Sequence, residues 1–245
     1  MELIPGSCFL VGSGDLGFGL TEPWDAHAYL VRSDAEALLI DSGCGRNPQL
    51  IVAAIERYLN GLPLKAIALT HAHIDHAGGA TYISDFFGCP VFASTVAAER
   101  LRVGDEQSTG LADARREGVF PPDLTLEPIA SIRVVPARLS VGDLAIRVVP
   151  TPGHSVDHVS YVIDFEAGSA LFSGDLVFAQ GRVVIHEQAD SDAAAYQRSL
   201  RELSSIRPTM LFPGHGAISL SRGWAHVDAA LAAFDEGRQP TGFLS

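Results

Sequence analysis

The chain has 245 residues, 47% of them hydrophobic and 19% charged, which suits one large domain with its own core and excludes a disordered polymer. Its 17 Lys and Arg stand against 29 Asp and Glu, a formal net charge of −12, so its surface repels nucleic-acid backbones and anionic lipid. Cys8, Cys44 and Cys89 are far apart and form no Cys-x-x-Cys pair, a pattern of reduced, buried thiols rather than a disulfide framework.

The N-terminal stretch Met1-Glu2-Leu3-Ile4-Pro5-Gly6 has neither a basic region nor a long apolar one. No window approaches the ~18 apolar residues of a membrane helix. The expectation is a cytoplasmic protein with no membrane partner. Ser7 to Val11 reads as a short strand. Gly12 to Asp25 is a loop with four glycines that carries Phe18 and Trp24. Ala26 to Arg32 and Ala35 to Asp41 form a strand pair, followed by the turn Asp41-Ser42-Gly43-Cys44-Gly45. Pro48 to Leu59 is helical, with Asn47 as its cap and Pro48 at the first helical position. Leu64 to Thr70 is a buried strand. A helix runs from about His76 to Phe87, Pro90 to Ala93 is a strand, and Thr95 to Arg102 is helical. Gly104 to Pro122 is polar and irregular, either a surface excursion or a lid. From Ile132 the runs Ile132 to Val135, Ala145 to Val149, His158 to Asp164 and Ala170 to Ser173 read as a meander of strands. Ser191 to Ser204 is a helix, Thr209 to Phe212 a strand, and Trp224 to Phe234 a last helix. No linker or repeat divides the chain, so residues 1 to 245 read as a single α/β domain.

The chemistry concentrates at Thr70-His71-Ala72-His73-Ile74-Asp75-His76, directly after the apolar run Ala66-Ile67-Ala68-Leu69. Imidazole and carboxylate together suit Zn²⁺, Fe or Mn. A buried histidine needs a partner on each ring nitrogen, so a cluster of them at a strand end is costly as mere packing. Three more ligand-type residues occupy similar places. His154 follows Val148-Val149-Pro150-Thr151-Pro152-Gly153, Asp175 follows Leu171-Phe172-Ser173-Gly174, and His215 follows Leu211-Phe212-Pro213-Gly214. Each sits one step past a glycine at the end of an apolar strand, where α/β sheets assemble their sites.

With His71-Ala72-His73-Ile74-Asp75-His76, Thr151-Pro152-Gly153-His154, Ser173-Gly174-Asp175 and Pro213-Gly214-His215-Gly216 in order, the chain resembles the metallo-β-lactamase superfamily of hydrolases. Leu39-Ile40-Asp41-Ser42-Gly43 resembles the upstream aspartate turn of that family. The resemblance implies a four-layer αββα sandwich of two mixed β-sheets with outer helices. It also implies two metal positions: His71, His73 and His154 for one, Asp75, His76 and His215 for the other, with Asp175 bridging. The cofactor implied is two Zn²⁺ per chain; the ligand types also admit Fe or Mn. The di-iron flavoprotein branch resembles His-x-Glu-x-Asp at the first motif, whereas this chain has His73 there. Asp41 would accept a ring N–H from a metal-ligating histidine, or simply cap its turn. His158 would support the site or be a capped surface histidine. Phe18, Trp24, His27, Phe178 and His186 are candidates to meet substrate, and His226 reads as a helix-surface residue.

The mechanism implied is hydrolysis. Two metals about 3.5–4 Å apart share a water and lower its pKa from 15.7 to roughly 7. The hydroxide between them attacks the acyl carbon of an ester, thioester or lactone of a small molecule, and Asp75 orients it as the catalytic carboxylate. No Gly-x-Ser-x-Gly elbow competes as nucleophile. The glyoxalase II branch carries a C-terminal helical domain for glutathione, whereas this chain extends about 30 residues past His215. The quorum-quenching lactonases resemble it in motif and size, but Phe178 stands near where they carry a tyrosine. Asp157-His158 resembles some endoribonuclease branches, so a metal-dependent phosphodiesterase is the alternative, and the charge of −12 opposes it. A mononuclear iron persulfide dioxygenase needs only the first triad. A homo-oligomer is compatible with the sequence.

Overall fold

The computed structural model describes residues 1–185 and 190–243; the candidate His186 lies outside them. The chain divides into two compact units, Met1–Val135 with Val141–Asp143, and Pro136–Ser140 with Leu144–Ser245. Among the described residues no helix is long and apolar enough to cross a membrane.

The first unit holds a seven-stranded mixed sheet of β1 (Glu2–Ile4), β2 (Cys8–Gly12), β3 (Ala28–Arg32), β4 (Ala37–Ile40), β5 (Leu64–Ala68), β6 (Val91–Ala93) and β7 (Ile132–Val134), in that spatial order. β1 to β4 pair antiparallel, β2 and β3 being joined by the long loop that carries Phe18 and the other pairs by short turns. From β4 onward the pairing is parallel, because each connection is then a helical crossover. These crossovers are α1 (Gln49–Leu59), then α2 (Ile74–Ala77) with α3 (Ala80–Phe87), then α4 (Thr95–Val103) with α5 (Leu111–Arg116). α1 turns Ile51, Val52, Ile55 and Leu59 inward at helical spacing and ends on the left-handed Asn60. Asn47 does not cap it: its amide donates to Glu22 and its carbonyl accepts from Gln49.

Two departures from the sequence reading bear on the site. The helix expected from His76 to Phe87 is two helices, broken at Gly78-Gly79. A Cβ on Gly78 would lie 2.1 Å from the Cys44 carbonyl oxygen, and one on Gly79 2.2 Å from that of Ser42. The glycine pair therefore admits the Asp41 turn against α2. The strand at Ile132 does not begin a meander; β7 pairs parallel with β6 and extends the first sheet. The excursion from Gly104 to Pro122 is tied into its unit by buried Leu111 and Thr109, and by Arg115, which pairs with Glu106 and donates to the Leu124 carbonyl at 2.8 Å.

The second unit holds a five-stranded mixed sheet. Its strands are β8 (Arg138–Val141), β9 (Leu144–Pro150), β10 (Val159–Phe165), β11 (Gly168–Gly174) and β12 (Met210–Pro213), in the spatial order β12-β11-β10-β9-β8. β9, β10 and β11 pair antiparallel, while β12 joins parallel to β11 after the crossover helix α6 (Ala193–Ile206). α7 (Gly223–Asp235) packs against α6 and β12. Tyr196, Leu200 and Leu203 of α6 meet Val162, Leu171 and Leu211 of the sheet in a buried cluster. In each unit the chain leaves the apolar strands β5, β9, β11 and β12 directly into a ligand-type motif.

Candidate metal centre

In the first unit, β5 delivers Thr70 and His71, and α2 presents Asp75 and His76. The Asp41 turn is locked to α2: the Ser42 backbone N–H and hydroxyl both donate to the His76 carbonyl at 2.7 Å, and the Gly79 N–H donates to that of Gly43 at 3.0 Å. Asp41 itself has φ of 59°, a conformation that aspartate tolerates better than most residues. Its carboxylate is buried and accepts from three donors. These are the Thr70 N–H at 2.8 Å, the Thr70 hydroxyl at 2.9 Å and His76 Nδ1 at 2.9 Å. Thr70 Oγ1 lies 3.0 Å from His71 Nδ1. Since the hydroxyl proton goes to Asp41, Thr70 accepts from His71. Both imidazoles thus donate from Nδ1, which leaves Nε2 as the ligand-type nitrogen.

The rings are crowded. His71 stands 4.5 Å from His73 and 4.2 Å from His76, centroid to centroid. His71 and His76 are fully buried; His73 is half-buried. His76 Nε2 is 3.7 Å from Asp75 Oδ2, and His71 and His73 offer ligand atoms within 4.8 Å of each other.

The second unit repeats the device. The turn Pro152-Gly153-His154 is tied to the start of α6: the Asp192 N–H donates to the Gly153 carbonyl at 2.9 Å, and the Ser191 hydroxyl to that of His154 at 2.7 Å. Gly153 is obligatory, because a Cβ there would lie 2.6 Å from the Tyr196 Cα. His154 Nδ1 donates to the Val184 carbonyl at 3.0 Å, which again makes Nε2 the ligand-type atom. Asp175 Oδ2 lies 3.8 Å from His154 Nε2 and 3.6 Å from His215 Nε2. His158 accepts the Asp175 backbone N–H on Nε2 at 3.2 Å and donates from Nδ1 to Thr151 Oγ1 at 2.9 Å. Both of its nitrogens therefore serve to hold the Asp175 turn. The Tyr196 hydroxyl donates to the Asp175 carbonyl at 2.9 Å. Burial pushes that phenol well above its ordinary pKa, so it stays a donor.

Of the substrate candidates, Phe18 is 44% exposed on the loop between β2 and β3, alongside exposed Leu16 and Leu20. Its ring is 5.5 Å from buried His27, whose Nδ1 is 3.0 Å from the Tyr29 hydroxyl. Trp24 packs against the core with Arg46 over its ring. Phe178 is buried and stacks on Phe243 with centroids 4.3 Å apart. His226 lies on α7 and accepts the Gln180 N–H at 3.0 Å. Cys8, Cys44 and Cys89 are free thiols, all buried, and burial raises each above the ordinary thiol pKa. The sequence reading missed Thr70, Val184 and Tyr196. Only Thr70, next to the first histidine, had a local signal.

A model of the metallo-beta-lactamase superfamily matches residues 21–215, and the chain belongs to that superfamily. It is 30% identical over 192 residues to an atrochrysone carboxyl ACP thioesterase of Aspergillus fumigatus, covering 78% of this chain and 51% of the relative. It is 32% identical over 191 residues to a hydroxyacylglutathione hydrolase of Cupriavidus taiwanensis, covering 75% and 64%. The chain spans about half the length of most of the curated relatives it matches. Among solved structures, the BLEG-1 B3 metallo-beta-lactamase shares its fold with a TM-score of 0.68 and 30% identity, covering 85% of this chain and 94% of that one. The fold is accordingly the α/β fold of the superfamily, with two mixed sheets and helices, as the motifs implied.

Proposed function

We propose that the chain is a dinuclear metal-dependent hydrolase that cleaves an ester, thioester or lactone of a small molecule. One observation carries the reading. Nδ1 of His71, His76 and His154 is committed to Thr70, Asp41 and the Val184 carbonyl, so Nε2 is the ligand atom in each. That is the arrangement a metal-ligating imidazole needs. The donor set, imidazole nitrogen with carboxylate oxygen and no thiolate, fits zinc and also admits iron or manganese.

Taken residue by residue from the superfamily pattern, His71, His73 and His154 hold one cation. Asp75, His76 and His215 hold the other, and Asp175 serves both. When bound, two divalent cations supply a hydroxide-strength nucleophile at neutral pH and polarise the scissile carbonyl. The residues of the chain do the rest. Asp75 orients the attacking water and takes its proton. That proton then goes to the alkoxide or thiolate that leaves as the C–O or C–S bond breaks. His158 and Tyr196 hold the Asp175 turn from two sides. Leu16, Phe18 and Leu20 are exposed on a loop whose end is tied to α2 by the Ala26 N–H, 3.1 Å from the Asp75 carbonyl oxygen. They are our candidates to contact an apolar acyl group, together with His27, beside Phe18, and Trp24 on the same loop.

Support for the bond class comes from the relatives, one a thioesterase by name and the other a hydroxyacylglutathione hydrolase. The charge of −12 weighs against a nucleic-acid phosphodiester. The decisive experiment is metal analysis of the purified protein followed by a panel of thioesters, esters, lactones, β-lactams, phosphodiesters and glutathione persulfide. Two equivalents of zinc and turnover of an acyl substrate, abolished in His71→Ala and Asp175→Ala, is the expected result. Acyl hydrolysis that survives in metal-free His71→Ala protein would refute the mechanism. Turnover of RNA alone, or oxygen uptake with the persulfide, would transfer the chain to another branch.

A further inference from the structure

We propose that Phe243 is a positioning residue for His215, acting through a brace of three rings; the inference rests on the metal reading above. His215 is one of the candidate ligands of the second unit. It follows β12 in a turn, and the next residue, Gly216, has φ of 75°. The backbone on its N-terminal side is pinned by the Gly214 N–H, 2.7 Å from the Gly174 carbonyl oxygen. Packing around its ring then bears on which way the imidazole faces.

Two aromatic rings supply that packing. Phe178 lies 6.3 Å from the His215 ring with an interplanar angle of 37°, and Phe243 lies 6.1 Å away at 35°. The two phenyl rings stack on each other at 4.3 Å and 27°. The three rings form one contiguous aromatic group, and the two phenyls bound the space beside the imidazole. Phe243 takes the place a side chain at position 216 would fill: a Cβ on Gly216 would stand 2.8 Å from its ring.

The segment bearing Phe243 is held by backbone bonds. The Val183 N–H donates to the Thr241 carbonyl at 3.1 Å, the Phe243 N–H donates to that of Val183 at 2.8 Å, and the Arg182 guanidinium reaches the Phe243 carbonyl at 3.4 Å. The next residue, Val184, gives its carbonyl to His154 Nδ1. One short stretch, residues 182–184, therefore orients His154 directly and His215 through Phe243.

The test is zinc affinity, by competition with a chromophoric chelator, and the visible spectrum of the cobalt-loaded protein. It compares wild type with Phe243→Ala, Phe243→Tyr, Gly216→Ala and the Phe243→Ala/Gly216→Ala double variant. Phe243→Ala should weaken one of two cations about 10-fold and alter the cobalt spectrum, and Phe243→Tyr, which keeps the ring, should restore both. Gly216→Ala should weaken the same cation by displacing the ring, and should cost much less once Phe243 is already alanine. If Phe243→Ala does not fold, Gly216→Ala against Phe243→Tyr carries the comparison. Two cations held by wild type and held equally well by Phe243→Ala or by Gly216→Ala would overturn the brace alone. A wild type that binds no metal would overturn both the brace and the metal reading.

Discussion

Asp41→Asn isolates the charge at the centre of the first cluster. Asparagine tolerates the φ of 59° as aspartate does, so the backbone is left alone, whereas alanine would add strain there. The carboxylate accepts from the Thr70 N–H, the Thr70 hydroxyl and His76 Nδ1. An amide offers one acceptor oxygen and sets an NH₂ where the second stood. Keeping the Thr70 N–H on the oxygen turns the amide nitrogen toward His76 Nδ1. That nitrogen must then accept, which moves the ring proton to Nε2, the atom meant for metal. Reversing this on metal binding should weaken zinc 10–100-fold, about 1.4–2.7 kcal/mol. The metal-free protein should also lose about 1–3 kcal/mol, because the buried Thr70 hydroxyl loses its best acceptor. Chelator competition measures the first quantity and urea unfolding the second. If zinc affinity in Asp41→Asn stays within about twofold of wild type, the tautomer reasoning is wrong.

Three further outcomes follow from the same geometry. Thr70→Val keeps the β-branched shape but removes the acceptor of His71 Nδ1, so zinc affinity should fall about 10-fold and stability by about 1–3 kcal/mol; an unchanged urea midpoint would contradict the hydroxyl relay. Gly153→Ala should cost about 1–3 kcal/mol through its clash with Tyr196, read as a lowered midpoint, and a neutral result would mean that α6 moves away freely. Burial pushes Cys89 from 9.0 to about 11, so its contribution to stability is complete below pH 9 and is lost as pH rises through 11. Unfolding midpoints measured across that window should fall more steeply in wild type than in Cys89→Ala, and identical slopes would refute the assignment.

The site's ligand types were legible because they sit in short local motifs at the ends of apolar strands, where four residues of context carry the signal. The Asp41 turn was legible for the same reason. The groups that orient the ligands were not. Val184 acts through a backbone carbonyl, which any residue could supply, and Tyr196 and Phe243 reach their targets from 21 and 28 positions away. The break at Gly78-Gly79 was written in the glycines, but its cause, the close seating of the Cys44 and Ser42 carbonyls, is a long-range contact. Asn47 has the right residue type for a cap, yet its side-chain oxygen accepts from the Gln49 side chain instead of a helix N–H. β8 escaped notice because it is only four residues long at the sheet edge, too short for its alternation of exposed Arg138 and Ser140 with Leu139 and buried Val141 to stand out.

Each unit orients its own histidines with its own partners. In the first, one buried carboxylate fixes two imidazoles, one directly and one through a hydroxyl. In the second, a carbonyl fixes His154, and His158 is spent on holding the Asp175 backbone. This explains why a chain with so few cations tolerates so many ligand-type groups in its interior. Each of these buried Nδ1 atoms has an acceptor, and the Asp41 carboxylate accepts from three donors. It also separates two kinds of loss. Removing a candidate ligand such as His71 deletes a donor atom, whereas removing the Thr70 hydroxyl leaves every donor atom present and disturbs which nitrogen bears the proton. A metal affinity that falls in both, with stability falling chiefly in the second, is the signature of a site built around proton placement.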